Sequence, residues 1–327
     1  MTTYSHLKLI DVHHHCVLPQ YQDALVRSGA ADPSRPLRKN ASAAEAIETM
    51  AQFGIAGAVV NPLSVAGVHH GDDAHARYLC ETTGEALATY VSAAPDKLGF
   101  FAPLPFPDVE GSLKHMEYAL DTLGADWLIL LTNQNGVYVG DPSAEELWQE
   151  MDRRHANVFI HPARPSYVDD LKLTLWASII EYPFETTRVA ANLIYHEYMK
   201  KYPNIRWILA HAGGTLPYLS MRLHLMEEGD TKKPSFAERV PEGVKPYVGQ
   251  FYFDLAIAGS NAALGALTEV TPMSHIMYGS DWPYIDRHYV TMQLDELSAA
   301  PLLKGDAFNA MQYRNAQALF PRFAHLI

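Results

Sequence analysis

The first stretch whose residue types suggest chemistry is the run of three histidines at positions 13–15. It follows an apolar segment, so that residues 9–15 are Leu-Ile-Asp-Val-His-His-His. Side chains two positions apart in a strand point to the same side, so His13 and His15 share one face and His14 points away. Two imidazoles on one face of a strand end can bind a divalent metal ion. A surface histidine cluster is an equally simple interpretation of so short a pattern.

Residues that can bind a metal or move a proton also follow later apolar runs. They are His161 after 157–160, His211 after 205–210 and Asp281 after 276–278. Each has a structural explanation by itself, since a strand-end histidine can cap a carbonyl and an aspartate can begin a turn. If the runs are strands of one parallel barrel, however, their ends share the rim that carries the active site in barrel enzymes. This convergence favours a metal site.

Three imidazoles and one carboxylate suit a borderline divalent ion and leave room for water or substrate. We therefore predict one divalent metal ion, with zinc as the expected ion and manganese as the alternative. The predicted ligands are His13, His15, His161 and Asp281. His211 is assigned to proton transfer because the pKa range of histidine suits that role. An exchange of roles between His211 and one of the ligands stays open.

The elements that position these residues alternate regularly along the chain. Apolar runs typical of buried strands lie at 9–15, 55–60, 98–102, 127–131, 157–160, 205–210, 251–255 and 276–278, and helical patterns at 43–53, 73–93, 111–123, 144–154, about 170–200 and 287–324. Eight apolar runs, six of them followed by a helical pattern, predict an α/β fold, a distorted (β/α)8 TIM barrel. An open doubly wound sheet is disfavoured, because no glycine-rich phosphate fingerprint follows the first strand. We expect one domain over residues 1–327, with irregular insertions at about 17–42 and 227–250.

Composition narrows the class of protein. The 327 residues are 48% hydrophobic and 19% charged, which is typical of a globular protein with a large core. The net charge of −12 argues against nucleic acid or an anionic membrane as partner. Two cysteines cannot form a disulfide framework, and no apolar run reaches the length of a membrane span. We therefore expect a cytoplasmic protein with no membrane contact.

The same residues resemble the amidohydrolase superfamily. The resemblance rests on His-x-His after the first strand, on His161, on His-Ala-Gly-Gly-Thr-Leu-Pro-Tyr from His211, and on Gly-Ser-Asp-Trp-Pro around Asp281. Further segments look like its decarboxylase branch, which includes aminocarboxymuconate semialdehyde decarboxylase and the hydroxybenzoate decarboxylases, and most closely like the 6-methylsalicylate type. They are 101–105, 140–142, 184–188 and 314–316. The fourth run, Trp-Leu-Ile-Leu-Leu-Thr, lacks the lysine that bridges two metals in binuclear members, so one ion is expected.

The resemblance implies a metal-dependent, non-oxidative decarboxylase of a salicylate-like aromatic acid, with no organic cofactor. Such a reaction needs a proton at the ring carbon, and both His211 and Asp281 are candidate catalytic residues; in another scheme His211 activates a water molecule. By resemblance Arg222 reaches the substrate of a neighbouring subunit, which implies a homodimer or a higher homo-oligomer; a solvated helix face is an equally good explanation of this arginine. Trp282 and Tyr284 are predicted to contact the aromatic ring, with packing against the rim as the alternative.

Two other functions stay open at this point. The same barrel can support a hydrolase, in which water attacks a lactone or an amide and His211 or Asp281 takes the proton. A barrel that only binds metal is also conceivable, but none of the expected ligands is missing. Asp254 is a candidate for orienting a ligand histidine, with capping of the next segment as its alternative.

Overall fold

Eight parallel strands form the centre of the fold in the computed structural model, which describes residues 4–29, 41–62, 67–172, 174–225 and 236–327. They lie in the sheet in the same order as in the chain. The strands are β1 (Leu9–His15), β2 (Ile55–Asn61), β3 (Leu98–Pro103), β4 (Trp127–Leu131), β5 (Asn157–His161), β6 (Arg206–Leu209), β7 (Tyr252–Asp254) and β8 (Ile276–Met277). A short antiparallel hairpin, Asn133–Gln134 with Val137–Tyr138, follows β4.

Backbone hydrogen bonds close the sheet between its first and last strands. Val12 donates to the carbonyl oxygen of Tyr278 at 3.0 Å, and His15 donates to that of Trp282 at 2.7 Å. In the other direction, Asp281 donates to the carbonyl oxygen of His13 at 2.8 Å. Closure of eight consecutive parallel strands confirms the predicted (β/α)8 barrel.

Helices surround the barrel. They are α1 (Pro19–Ser28), α2 (Ala43–Phe53), α3 (Asp73–Val91), α4 (Val109–Glu117), α5 (Glu145–Arg153), α6 (Ala177–Tyr195), α7 (Tyr198–Lys201), α8 (Leu216–Leu225), α9 (Phe236–Arg239), α10 (Val244–Val248), α11 (Asn261–Thr268), α12 (Arg287–Ala299), α13 (Asp306–Asn309) and α14 (Asn315–Leu319). Among the residues that the structure describes, no helix has both the length and the apolar character needed to cross a bilayer.

Strand sequences are apolar throughout because both strand faces are covered. The interior face packs inside the barrel, where the rings of Phe101 and Phe159 stack with centroids 5.2 Å apart. The outer face packs against helices. For example, the rings of Trp207 in β6 and Trp148 in α5 have centroids 6.1 Å apart. Strands covered on both faces lose the alternating pattern of a half-exposed sheet, which is why continuous apolar runs predicted them.

The helix boundaries agree with the sequence where capping signals are clear. Helix α2 spans 43–53 as predicted, since the Ser42 hydroxyl accepts the N–H of Glu45 and Gly54 takes a left-handed φ of 67°. The helix predicted over 111–123 departs from regularity, because α4 ends at Glu117 and a π-helical turn continues to Thr122.

The prediction that residues 17–42 are irregular is wrong over its first part. Pro19 begins α1, where a missing N–H costs nothing, and Gly29 ends it with a left-handed φ of 72°. Tyr21, Ala24 and Leu25 bury one face of this helix. In the second predicted insertion, α9 and α10 replace part of the expected loop; residues 30–40 and 226–235 lie outside the described part of the chain.

Candidate metal centre

The carboxyl ends of three strands bring the four predicted ligands together. His13 and His15 lie at the end of β1, His161 ends β5, and Asp281 follows β8. One ligand atom from each of these four residues lies within 4.8 Å of the others, and all four side chains are buried. Parts of the chain that are distant in sequence thus form one cluster, because parallel strands end on the same rim.

The distances within the cluster are those of atoms around one small cation. The Nε2 atoms of His13 and His15 are 3.1 Å apart. Asp281 Oδ1 lies 3.3 Å from the first and 3.1 Å from the second. Ligand atoms about 2.1 Å from a tetrahedral ion would lie about 3.4 Å from one another. The donor set and its spacing therefore fit a single divalent metal ion.

Hydrogen bonds fix two of the ligand rings, those of His13 and His161, so that Nε2 points into the cluster. The Nδ1 atom of His13 is 2.9 Å from Asp254 Oδ2, and both side chains are fully buried. His161 Nδ1 lies 3.0 Å from the carbonyl oxygen of Pro162, to which it can only donate. A proton held on Nδ1 leaves the Nε2 lone pair available to a metal.

Asp254 performs both of the functions considered for it. Besides binding His13, it accepts the backbone N–H of Ala256 at 2.8 Å and that of His211 at 3.2 Å through Oδ1. One carboxylate therefore connects a predicted ligand with the residue assigned to proton transfer.

Burial and charge set the protonation of the cluster. Burial lowers the pKa of His15 to about 4 and that of His161 well below its usual range, which keeps both imidazoles neutral. Burial also opposes charge on His13, but the carboxylates of Asp254 and Asp281 outweigh it and raise its pKa to about 10. The centre of the cluster thus favours a positive charge.

Asp281 presents its two oxygens to different neighbours. Oδ1 faces the ligand histidines, whereas Oδ2 lies 3.9 Å from Nε2 of His211. Burial opposes its ionisation, but the neighbouring imidazoles of His13, His15 and His211 outweigh burial and hold the pKa of this carboxyl well below its usual range. Asp281 is therefore a carboxylate, as a metal ligand must be.

Strained backbone marks both candidate catalytic residues. The backbone φ angle is 55° at His211 and 58° at Asp281, values that residues other than glycine rarely adopt. Gly214, three residues after His211, also has a positive φ of 66°, and a Cβ there would come within 2.0 Å of the carbonyl oxygen of Pro183. The loop after β6 is thereby pressed against α6, and only glycine fits.

The predicted substrate-binding residues lie in different places. The ring of Tyr284 packs edge-on against His15 with centroids 4.5 Å apart, beside the cluster. Trp282 is buried with its ring 5.0 Å from His14, the histidine that points away from the ligands. This contact corresponds to the packing alternative. Arg222 is exposed on α8.

Two buried carboxylates near the rim, Asp11 and Glu185, had no predicted role. Asp11 accepts the backbone N–H of Ser280 at 3.0 Å and that of His13 at 3.1 Å, and so joins the ends of β1 and β8. Glu185 is fully buried in α6. The burial of Asp11 could have been predicted, because it is a charged residue inside an apolar run. The burial of Glu185 could not, because nothing in the pattern of its helix distinguishes it from an exposed glutamate.

Comparison with known proteins identifies the family. An amidohydrolase family model matches residues 10–322, so the chain belongs to this family. It is 33% identical over 318 residues to the 6-methylsalicylic acid decarboxylase of Aspergillus aculeatus, covering 96% of both chains. It is 31% identical over 323 residues to that of Penicillium expansum, covering 97% of this chain and 98% of the other.

A solved structure agrees in fold. The 5-carboxyvanillate decarboxylase of Novosphingobium aromaticivorans, complexed with manganese and 4-hydroxy-3-methoxy-5-nitrobenzoic acid, covers 97% of each chain with a TM-score of 0.82 and 18% identity. The family and the decarboxylases that resemble the chain along its length confirm the predicted branch. The protein is a carboxy-lyase of the amidohydrolase superfamily.

Proposed function

We propose that the protein removes CO₂ from a salicylate-like acid, a benzoic acid with a hydroxyl ortho to the carboxylate, and that 6-methylsalicylate is the first candidate. The observation that carries this proposal is the buried cluster of His13, His15, His161 and Asp281 with His211 beside it. Support for the substrate class comes from the two 6-methylsalicylic acid decarboxylases that match nearly the whole chain.

The four clustered residues hold one divalent ion in this proposal. Zinc is our first choice because three imidazoles and a carboxylate suit it, and manganese is the alternative because a structural neighbour was solved with it. Held by these residues, such an ion would supply positive charge opposite the acid and would withdraw electron density from the ring.

The protein's own groups handle the proton. Breaking the bond between the ring carbon and the carboxylate leaves an electron pair on the ring, which must take up one proton. We assign that proton to Nε2 of His211. The 3.9 Å to Asp281 Oδ2 exceeds a direct hydrogen bond, so exchange between these two atoms requires a bridging water or a small rotation. Because Asp281 is held as an ionised carboxylate, it has no proton to donate, and His211 is the better proton donor.

Tyr284 is the residue we assign to one wall of the ring site, since it already packs against the ligand His15. We assign Trp282 to the substrate less strongly than Tyr284, because the ring of Trp282 packs on His14.

We also propose a homodimer in which Arg222 enters the site of the partner. Support comes from its surroundings on α8, where Tyr218 is 81% exposed and Met221 is 65% exposed. Large apolar side chains exposed beside a cation are typical of a surface that becomes buried on association.

Both cysteines are free and buried, which supports the expected cytoplasmic location.

The test is an assay of the purified protein loaded with Zn²⁺ or Mn²⁺. It is incubated with 6-methylsalicylate, with salicylate and with benzoate, which lacks the hydroxyl, and the phenolic product and CO₂ are measured. We expect equal amounts of CO₂ and 3-methylphenol from 6-methylsalicylate and no reaction of benzoate. Ring opening of an aromatic lactone without CO₂ release from any hydroxybenzoate would overturn the proposal in favour of a hydrolase.

A further inference from the structure

A fully buried carboxylate outside the ligand cluster collects four hydrogen bonds. Oε2 of Glu185 accepts from Asn133 Nδ2 at 2.7 Å and from Thr132 Oγ1 at 3.3 Å. Oε1 accepts from the Tyr138 hydroxyl at 2.9 Å and from Arg188 Nη1 at 2.6 Å. Burying a carboxylate is costly, and these donors compensate for the loss of water. Three of the four come from the end of β4 and its hairpin.

Thr132 connects this carboxylate to a predicted ligand. Its backbone N–H donates to the carbonyl oxygen of His161 at 2.9 Å. Its hydroxyl oxygen accepts the N–H of Ala163 at 2.9 Å. Thr132 therefore holds the chain on both sides of Pro162, whose carbonyl oxygen accepts from Nδ1 of the His161 ring at 3.0 Å.

The hydroxyl of Thr132 has one proton and so can donate in one direction only. Glu185, an acceptor in its ionised form, draws that proton towards α6. The lone pairs of the hydroxyl then face the N–H of Ala163. Replacing the carboxylate by an amide removes the charged acceptor that orients the hydroxyl proton, so the hydroxyl is free to turn and its bond to Ala163 weakens.

We propose that Glu185 is a positioning residue for His161, acting through Thr132. This inference rests on the proposed metal-binding role of His161. The carboxylate fixes the hydroxyl, the hydroxyl fixes the loop after β5, and the loop fixes the direction of the imidazole. Groups that hydrogen-bond directly to a metal ligand change metal affinity by about 10–100-fold when they are removed, and Thr132 is such a group for the backbone of His161.

The experiment is a titration of metal-free protein with Co²⁺, followed by visible absorbance, which reports both affinity and coordination geometry. We expect Glu185→Gln and Thr132→Val each to weaken Co²⁺ binding about tenfold or more and to change the band shape. The double variant is no weaker than the worse single variant, because both changes break one chain of contacts. Thr132→Ser restores the hydroxyl and recovers most of the affinity lost in Thr132→Val.

The matched control is Asp126→Asn at the opposite end of β4. Asp126 is a half-buried carboxylate, which accepts hydrogen bonds from Arg322 Nε at 2.7 Å and from the N–H of Phe100 at 2.9 Å. Its loss destabilises the same strand far from the rim, so we expect lower stability but Co²⁺ affinity within about twofold of wild type.

Wild-type Co²⁺ affinity and spectrum in folded Glu185→Gln would overturn the inference, as would an equal loss in Asp126→Asn. If Glu185→Gln does not fold, equal Co²⁺ affinities of Thr132→Val and Thr132→Ser overturn it instead. These readouts use metal binding alone. A failure of the proposed decarboxylation would show separately, as Co²⁺ binding without CO₂ release from any acid.

Discussion

The backbone N–H of Asp281 donates to the carbonyl oxygen of His13 at 2.8 Å, so the bond that helps to close the barrel also joins two of the predicted metal ligands. Asp281 Oδ1 and His13 Nε2 are 3.3 Å apart at the same place. The contacts that close the barrel therefore also set the positions of two predicted metal ligands. A change that loosens the junction of β1 and β8 should weaken metal binding before it unfolds the chain.

Asp254→Asn should weaken metal binding by about 10–100-fold. The amide keeps the size of the side chain, but it can turn its NH₂ group towards Nδ1 of His13. The ring proton then moves to Nε2, the atom that faces the cluster. The measurement is competition of the protein with a chromophoric chelator for Zn²⁺. Asp126→Asn serves as control, and wild-type affinity in Asp254→Asn would remove Asp254 from the site.

His211→Asn should lower kcat by about 10²–10⁴-fold while the bound metal stays at the wild-type level. The physical reason is that Nε2 of His211 is our assigned proton store but is not one of the four clustered ligand atoms. Turnover and metal content are measured on the same sample. His288→Asn, which removes an exposed histidine, should change neither. Undiminished turnover of His211→Asn would exclude its role in proton transfer.

Arg222→Ala should raise KM strongly if the guanidinium binds the acid in the partner's site. Mixed with His211→Asn under conditions of subunit exchange, it should recover about a quarter of the wild-type rate, because half of the dimers are mixed and each holds one intact site. Analytical ultracentrifugation supplies the oligomeric state. Failure to recover activity after demonstrated exchange would place Arg222 outside the partner's site.

His115 gives a pH dependence that is independent of the metal. It is buried in α4, and burial lowers its pKa from 6.5 to about 4. Between these values the unfolded chain binds more protons than the folded one, so stability falls as pH falls, by at most about 1.4 kcal/mol per pH unit. His115→Leu should lack this contribution.

Urea unfolding of the metal-free protein at pH 7.5 and pH 5.0 measures this difference. The loss of unfolding free energy on acidification should be smaller in His115→Leu than in wild type, whereas His288→Leu should match wild type. An identical loss in all three proteins would contradict the assignment.

Much of the fold could be predicted because buried strands leave an unmistakable pattern. The boundaries predicted for β4 and α2 agree with the structure, since both are set by continuous burial or by capping residues. The convergence of His13, His161 and Asp281 follows from the geometry of any parallel barrel.

Other features depend on contacts that a sequence does not display. The left-handed turn at Asp281 breaks the alternation of side chains, so the side on which Trp282 packs could not be inferred from spacing. The partners of Glu185 come from β4 and its hairpin, which no pattern within α6 reveals. In α1, prolines nearby suggested a loop although Pro19 in fact begins a helix.

Removal and return of the metal shows whether the protein needs one bound ion for decarboxylation. The purified protein is treated with a chelator until elemental analysis finds no transition metal, and CO₂ release from 6-methylsalicylate is then measured before and after one equivalent of Zn²⁺ or Mn²⁺ is added. We predict no CO₂ release above background from the stripped protein and recovery with one ion per chain. Full turnover by the stripped protein would contradict the central claim that a single bound ion is required.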